Sequence, residues 1–353
     1  MMVYQGAQDL PDPIITANIY CSGLLDSVIC QAVAPFSKTL RETADRNGIH
    51  YLWFVRYSKR GEHLKVRIHG PQNTAAFLKE ELSSIVSQYL ESLTGASTTV
   101  AADGDDAPAI DVEDGDLLPH PDRSFIWTQY RRSNVSFGSE PFLLDDRYVA
   151  LLTRALGYAS EFIVNEFPSE PEESIEKRQR QKILLGLAIP AIGVLDPALR
   201  CRYISYHRNW LLRFLVVKRL VTVLDPDALV GRLNARASQM RTAISDLRRV
   251  ALQSWVSYEE SGDASRTVLF SWLQSIDDLA AYVNTFRHRQ EYSIDPFSDE
   301  VSFPCLFKAL HGSANQLGIS LLEEAFVYHL LLHAVHENAD EERLPLTPFH
   351  LGE

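Results

Sequence analysis

Residues 51–69 restrict the fold of this chain more than any other stretch, because their pattern predicts a β-hairpin. Tyr51–Tyr57 (YLWFVRY) is rich in aromatic and β-branched residues, which favour strands. His63–His69 (HLKVRIH) alternates polar and apolar residues, the period of a half-buried strand. The residues between them include Gly61 and have the length of a hairpin connection. The chain is therefore expected to contain an antiparallel sheet.

The segments on either side of this hairpin complete a larger unit. Ile14–Ser22 predicts a further strand, and Leu24–Asn47 predicts a helix that ends at an Asn-Gly pair. A second helix is expected from Pro71 to Leu93, and a last strand at Ser124–Arg132. The order strand, helix, hairpin, helix, strand predicts a ferredoxin-like β-α-β-β-α-β layer.

From Asp145 onward, apolar residues recur at three- and four-residue spacing, which predicts helices almost to the end of the chain. The predicted helices are Asp145–Phe167, Ile175–Leu195, Arg208–Leu224, Pro226–Trp255, Ser265–Tyr292 and Ser320–Ala339. The predicted fold class is α+β with a large C-terminal helical region. We expect residues 1–144 to form the α+β part and residues 145–353 the helical part, packed together as one compact unit.

An acidic insertion interrupts the α+β part at about residues 95–122. It holds seven acidic residues between Ala101 and Asp116, and no lysine or arginine. The acids lack the spacing and the closing glutamate of an EF-hand, so we expect a solvated loop rather than a calcium site. Replacing Ala101–Asp116 with a short linker is expected to leave the stability nearly unchanged.

Composition and charge disfavour several classes of function. With 34 Lys and Arg against 46 Asp and Glu, the chain has a formal net charge of -12, which argues against stable binding to nucleic acid. The four cysteines form no CxxC pair, so we expect free thiols in a cytoplasmic protein. The uncharged run Ile183–Leu195 is too short to span a membrane, and we expect neither a signal peptide nor membrane association.

The sequence contains no motif for nucleotide binding or for common hydrolytic chemistry, and we expect neither a metal nor another cofactor. His329, His333 and His336 do share one face of a predicted helix, a spacing that metal ligands can use. The leucines between the first two indicate a packed helix, and no glutamate stands there as a catalytic base. We therefore expect a polar stripe on a surface helix rather than a metal site.

Two groups of polar residues are candidates for a functional site. The first lies at the hairpin and consists of Arg56, Tyr57, His63, Lys65, Arg67 and His69. Guanidinium donors suit a carboxylate or a peptide backbone, although the same pattern is typical of an exposed strand face. The second group is His311 and Asn315, whose spacing places them on one face near the start of a helix.

Three segments resemble motifs of the lantibiotic-dehydratase C-terminal and thiopeptide-type bacteriocin biosynthesis family. YLWFVRYSKRGEHLKVRIHG is similar to its FFIRY…DP..HLRLRF hairpin, and TQYRRSNVSFGSEPFLLDD to its Tyr-Glu-Arg-(x)3-Arg-Tyr-Gly-Gly…Asp-Ser stretch. KALHGSANQLGISLLEEAFVYHLL is similar to its closing His-Met-x-x-Asn-Arg-Leu segment with a following glutamate. The three matches follow the family's order and spread over essentially the whole chain.

One branch of that family eliminates glutamate from glutamylated serine or threonine in lanthipeptide dehydratases, using arginines and a histidine. The resemblance assigns these roles to Arg56, Arg67 and His311. Two positions depart from the family pattern: Ser136 stands where the family has an arginine, and Gln316 replaces the arginine of Asn-Arg-Leu. The loss of a guanidinium that would bind the departing glutamate argues against elimination.

The other branch consists of standalone pyridine synthases of about this size. They join two dehydroalanines of a modified peptide in a formal 4+2 cycloaddition, with loss of water and of the leader peptide. The resemblance therefore implies an enzyme of lyase or cyclase type that matures a ribosomally synthesised peptide without a cofactor. Its partners would be a modified precursor peptide with its leader segment, a second copy in a homodimer, or other enzymes of the pathway. The alternatives are a standalone glutamate-elimination subunit of a split dehydratase and a noncatalytic peptide-binding protein.

A site of this kind must hold two alkenes at reaction distance and move protons during ring closure. The candidate catalytic residues are His311, Tyr57, Tyr130 and Ser136. The candidate substrate-binding residues are Arg56, His63, Lys65, Arg67 and Asn315. We expect His311 to lie in a pocket that faces the Arg56–Tyr57 end of the hairpin.

Overall fold

The computed structural model describes residues 15–47, 51–57, 62–94, 100–102, 121–127, 146–167, 176–217, 220–221, 226–260, 268–287 and 302–335. The strands in this part are β1 (Ile15–Tyr20), β2 (Tyr51–Tyr57), β3 (His63–His69), β4 (Val100–Ala102) and β5 (Ser124–Trp127). They form one sheet in the order β2-β3-β1-β5-β4. All neighbouring strands pair antiparallel except β4, which is parallel to β5.

The predicted hairpin is confirmed, with Tyr57 of β2 opposite His63 of β3. The last predicted strand begins at Ser124 as expected and is described as far as Trp127. The acidic insertion differs from the prediction at its start, because Val100–Ala102 add a strand to the sheet through pairing with β5. Residues 103–120 lie outside the described part, so the dispensability of the remaining insertion stays a prediction.

The predicted helix after β1 is one continuous helical segment in three parts. These are α1 (Leu25–Val28), a π-helical turn (Ile29–Val33) and α2 (Ala34–Asn47). After β3, a 3-10 turn at Gln72–Thr74 leads into α3 (Ala75–Thr94), which packs against β1 and β5. The N-terminal part of the chain is therefore an α+β layer, as predicted.

The described remainder of the chain is helical, as expected. Its helices are α4 (Asp146–Glu166), α5 (Lys177–Gly193), α6 (Pro197–Val217), α7 (Pro226–Ala237), α8 (Arg241–Glu260), α9 (Val268–Arg287), α10 (Ser302–Gln316) and α11 (Leu321–Val335). A 3-10 turn at Ser238–Met240 divides the long helix predicted from Pro226. Helix α6 begins at Pro197, well before the predicted Arg208, and α10 ends rather than begins near His311.

One hydrophobic core runs through both parts of the molecule. It includes Phe54 of β2, Leu156 of α4 and Leu310 of α10, all of them buried. Helix α4 packs on β2, and α10 contacts α4, α5, α6, α9 and β2. Helix α10 thus brings the helical part against the end of the hairpin. Within the described ranges, every helix is too short or too polar to cross a membrane.

Candidate functional site

The pairing of β2 with β3 places the hairpin's polar residues on two opposite faces of the sheet. Residues directly opposite each other in an antiparallel pair share a face, and successive residues alternate between faces. Arg56 pairs with Leu64, whereas Tyr57 pairs with His63 and Trp53 with Arg67. Arg56 and Arg67, the two arginines that the family resemblance grouped together, therefore lie on different sides of the sheet.

The face that carries Arg67 is packed with aromatic rings. The Arg67 guanidinium lies 4.6 Å from the ring centroid of Trp53, and the Lys65 ammonium lies 4.9 Å from that of Tyr57. Arg67 is only 1% exposed, so this is not the exposed strand face of the simpler interpretation. Burial, with the nearby charge of Arg67, lowers the pKa of Lys65 to about 8. These cations help to pack the sheet on the side opposite Arg56.

Arg56 is held at the other face by a buried ion pair and a helix end. Its Nη2 donates to Asp26 Oδ1 at 2.6 Å, and its Nε donates to the carbonyl of Gln316 at 2.8 Å. Arg180 of α5 binds the second oxygen of Asp26 and donates to the carbonyl of Leu317 at 2.7 Å. Both arginines therefore satisfy carbonyls at the C-terminal end of α10 while sharing one aspartate.

A pocket of about 570 Å³ opens beside this cluster. Its lining consists of Gly23, Leu25, Asp26, Arg56, Tyr57, Glu62, Arg180, Asn315, Gly318, Ile319 and Ser320. Asn315 is fixed in the wall because its Oδ1 accepts a hydrogen bond from the backbone N–H of Arg56 at 3.1 Å. The lining carries two carboxylates and two guanidiniums, so its formal charges cancel.

One helical turn before Asn315, His311 belongs to a buried network of polar side chains. Glu324 of α11 is fully buried and bonds two imidazoles: Oε2 lies 2.8 Å from His311 Nδ1, and Oε1 lies 2.8 Å from His207 Nε2. The Nδ1 atom of His207 lies 2.8 Å from the hydroxyl of Tyr203. His311 is the outer member of this network, since 21% of its side chain is exposed.

The pKa values of the three groups show where the charges lie. Burial would raise the pKa of Glu324, but the charge of His311 and hydrogen bonds from both imidazoles lower it to about 2. Burial lowers the pKa of His207, which favours its neutral form. For His311, burial acts to lower the pKa, and the attraction of Glu324 outweighs it, so the pKa is raised. The network therefore favours the ionised form of Glu324, the protonated form of His311 and the neutral form of His207.

The predicted site residues fall into three groups in the structure. Arg56, Tyr57 and Asn315 line the pocket. His311 was expected in this pocket but is not among its lining residues; it lies one turn before Asn315 on the same face of α10. His63, Lys65 and Arg67 lie on the opposite face of the sheet from Arg56, and the ring of Tyr57 packs on that face beside His63 and Lys65. Tyr130 and Ser136 lie outside the described residues, so their roles stay predictions.

Sequence reasoning did not single out four residues that complete the site: Asp26, Arg180, His207 and Glu324. Only Glu324 could have been identified from the family resemblance, because the family's closing segment is followed by a glutamate. Arg180 belongs to a basic run at the start of α5 that is typical of a solvated helix end. The remaining two give no signal in the sequence, because their partners lie far away along the chain.

The histidines of α11 form a separate cluster. His329 is fully buried, with its Nε2 3.1 Å from His333 Nε2 and its Nδ1 3.4 Å from Arg208 Nη1. Burial, together with the adjacent His333 and Arg208, lowers the pKa of His329 to about 3. His336 lies outside the described part, in which no group of side chains suited to a metal ion occurs. The expected surface helix is wrong for this segment, because most of α11 is buried and His329 packs in the interior between its neighbours.

Comparisons with known proteins agree with the family resemblance. Residues 15–335 match the model of the family described as "Lantibiotic biosynthesis dehydratase C-term". The pyridine synthase TbtD from thiomuracin biosynthesis has a similar fold, with a TM-score of 0.59 at 15% identity over 92% of this chain and 98% of TbtD. TsrL gives a TM-score of 0.56 at 11% identity over 92% of this chain and 95% of TsrL.

A third similar structure is the tRNA-dependent lantibiotic dehydratase MibB from Microbispora sp. 107891, with a TM-score of 0.50 at 15% identity. This match covers 96% of the present chain and 29% of MibB. A search of curated protein sequences finds no match. At these identities the structural comparisons establish a shared fold.

Proposed function

We propose that this chain, which belongs to the lantibiotic biosynthesis dehydratase C-terminal family, is a pyridine synthase-like enzyme that modifies a ribosomally synthesised precursor peptide. The reaction is a formal 4+2 cycloaddition between two dehydroalanines, followed by loss of water and of the leader peptide. Similarity to TbtD over nearly the whole of both chains supports this choice. The order of β2, β3, β1 and β5 also supports the ferredoxin-like description of the layer that carries the pocket.

The observation that carries this proposal is the pairing of both pocket arginines with Asp26. Glutamate elimination requires the enzyme to bind the departing carboxylate, and guanidinium groups are the usual donors for that purpose. Here Arg56 and Arg180 already donate to Asp26 and to carbonyls of α10. Asp26 and Glu62 would also repel an incoming glutamate. The pocket therefore suits an uncharged substrate segment, as two dehydroalanines would be.

His311 is the residue that we assign to proton transfer. Its Nδ1 is engaged by Glu324, so exchange with substrate would pass through Nε2. As an imidazolium, His311 can donate a proton to a departing hydroxyl, and the neutral form can then accept one during aromatisation. Tyr57 is the second candidate proton carrier, since the residue lines the pocket at the end of β2 although its ring stacks on His63. Asn315 and Arg56 would orient the peptide backbone along the pocket wall.

Two synthetic substrates test the proposal. Both carry the leader segment; one contains two dehydroalanines and the other a glutamylated serine. We expect the purified chain to convert the first into a pyridine-containing product with release of water and leader, detected by mass spectrometry. We expect no glutamate release from the second. Glutamate release would establish elimination instead, and tight binding without turnover of either peptide would establish a noncatalytic partner.

A further inference from the structure

We infer that Glu324 is a positioning residue for His311, and that His207 and Tyr203 hold Glu324 in the orientation this requires. The inference rests on the proposed function, because it assigns Glu324 a role in preparing the proton donor of that reaction. It concerns residues in the interior between α6, α10 and α11. None of the three is expected to touch the peptide.

The surroundings of Glu324 leave its carboxylate few alternative orientations. A fully buried carboxylate needs a hydrogen-bond partner for each oxygen, and the two oxygens of Glu324 are each 2.8 Å from one imidazole nitrogen. Aromatic rings fix both imidazoles: Tyr328 stacks on His207 at 3.7 Å between centroids, and Phe307 stacks on His311 at 5.4 Å. The carboxylate is thus fixed at both ends.

Tyr203 determines which nitrogen of His207 carries its proton. The phenol is the natural donor to the imidazole, so Nδ1 of His207 accepts and its proton remains on Nε2. That N–H then donates to Oε1 of Glu324, while the N–H of His311 at Nδ1 donates to Oε2. His311 is consequently held with Nε2 directed away from Glu324. This is the arrangement by which a carboxylate orients a catalytic histidine in other enzymes.

Among the charged groups around α10, Glu324 is the one that opposes the effect of burial on His311. From α6 the titratable neighbours are His207 and Tyr203, and from α11 they are Glu324 and Tyr328. On the other elements packed against α10, three arginines form ion pairs. Arg154 of α4 binds Asp278 of α9, while Arg56 of β2 and Arg180 of α5 bind Asp26. On α10 itself, Lys308 lies over the ring of Tyr148.

The test compares E324Q with E323Q in the full-length chain, using NMR titration of isotopically labelled imidazoles. Glu323 is the matched control, because it is the adjacent residue and pairs with Lys177 at the surface of α11. The resonance of His311 is identified as the one missing in H311N. We expect a pKa for His311 above its ordinary value of about 6.5 in the wild type and in E323Q, and at least a tenfold loss of proton affinity in E324Q.

The titration requires no turnover, so it separates this inference from the proposed function. A wild-type His311 that titrates below about 6.5 would overturn the inference even if E324Q failed to fold. In the cyclisation assay, we expect the high-pH limb of kcat to move downward in E324Q by the same amount as the titration. If E324Q is folded and active and the high-pH limb of its kcat profile is unchanged, the inference would also be overturned. A shifted titration in a chain that turns over neither peptide would contradict only the proposed function.

Discussion

His311 and His329 show how strongly the interior differentiates two histidines of one chain. His311 bonds a buried carboxylate, which favours its charged form, whereas His329 is buried beside Arg208, which favours its neutral form. His311 lies one helical turn from Asn315, which lines the pocket, so a proton donor there is useful to the proposed reaction. His329 is fully buried on α11, and its ring contributes to the packing of the interior.

The first prediction concerns the catalytic role of His311. In H311N the amide can replace the hydrogen bond that Nδ1 makes to Glu324, but it cannot carry a proton to substrate. We expect turnover of the dehydroalanine peptide to fall at least about a hundredfold, the usual range for loss of a general acid or base. Peptide affinity, measured by fluorescence anisotropy, should stay within a few-fold of wild type. Turnover within about threefold of wild type would remove His311 from the mechanism.

The second prediction concerns pH and His329. The pKa of His329 is about 3 in the folded protein, below its ordinary value of 6.5. As the pH falls below about 6.5, the unfolded chain therefore binds a proton at this residue that the folded chain does not bind. This group therefore lowers the free energy of unfolding by about 1.4 kcal/mol for each pH unit below that point. H329Q should reduce the slope of stability against pH by about that amount.

Urea unfolding at pH 5 and pH 6 measures this slope. The chosen window separates the histidine from Glu324, whose folded pKa is about 2 and whose contribution is lost only as the pH falls from about 4.5 toward that value. His207 contributes equally in both proteins and cancels in the comparison. Equal slopes for wild type and H329Q would show that His329 is not held neutral.

The end of α10 is a structural element on which the pocket depends. Gly318 has a φ of 68°, the left-handed conformation that ends helices, and its N–H donates to the carbonyl of Asn315 at 2.9 Å. A Cβ at this position would lie 2.6 Å from Arg180 Nη1 and 3.2 Å from Arg56 Cδ. The bare backbone of Gly318 therefore lets two guanidiniums approach the helix end.

We predict that G318A destabilises the protein more than G23A. Gly23 has a similar φ of 73°, and a Cβ added there would meet no heavy atom within 4 Å, so G23A reports the backbone penalty alone, about 1–2 kcal/mol. G318A adds the displacement of the Arg180 guanidinium. Chemical denaturation of both variants gives the difference. Equal losses of stability in G318A and G23A would indicate that the Arg56 and Arg180 side chains adjust without a cost in free energy.

The ion-pair cluster that joins α1, β2 and α5 supports a further prediction. Removing Asp26 would leave two guanidiniums at a nearly buried site without their carboxylate. We expect D26A to lower the free energy of unfolding by about 3–5 kcal/mol. E161A, which breaks the more exposed pair with Arg41, should cost less than about 1 kcal/mol in the same denaturant titration. Similar costs would contradict the structural role of Asp26.

The elements were predictable to different degrees, for physical reasons. The alternation in His63–His69 identified a strand and its hairpin, because it depends only on local geometry. It could not show that the polar face would be covered, since that depends on packing with Tyr20, Trp53 and Tyr57. The start of α6 was missed because buried polar residues such as His207 and Arg208 hide its apolar periodicity.

Across the whole molecule, the candidate residues that could be predicted lie in locally recognisable segments. The residues that were missed come together only through packing between distant parts of the chain. His311, Asn315 and Arg56 were found because they lie in segments that resemble family motifs. Glu324 and His207 are 117 residues apart, and nothing local in the sequence shows that they meet in the core. The division into residues 1–144 and 145–353 stays a prediction, although the hydrophobic core continues across it.

The balanced charges of the pocket have a consequence for how a substrate would arrive. A site with a strong net field attracts oppositely charged ligands from a distance, and added salt weakens that attraction within a Debye length of roughly 10 Å at 0.1 M. Asp26 and Glu62 offset Arg56 and Arg180, so the lining itself adds no net charge to the field at the pocket.

Encounter with this pocket should therefore be governed by ordinary diffusion and by shape. We predict that the KM for a dehydroalanine peptide without charged residues near its reactive segment changes less than about twofold between 0.05 and 0.5 M sodium chloride. R180Q leaves the lining with a net negative charge, and should make the capture of a cationic peptide strongly dependent on ionic strength. A wild-type KM that rose steeply with salt would show that long-range attraction, absent from the balanced lining, brings the peptide to the enzyme.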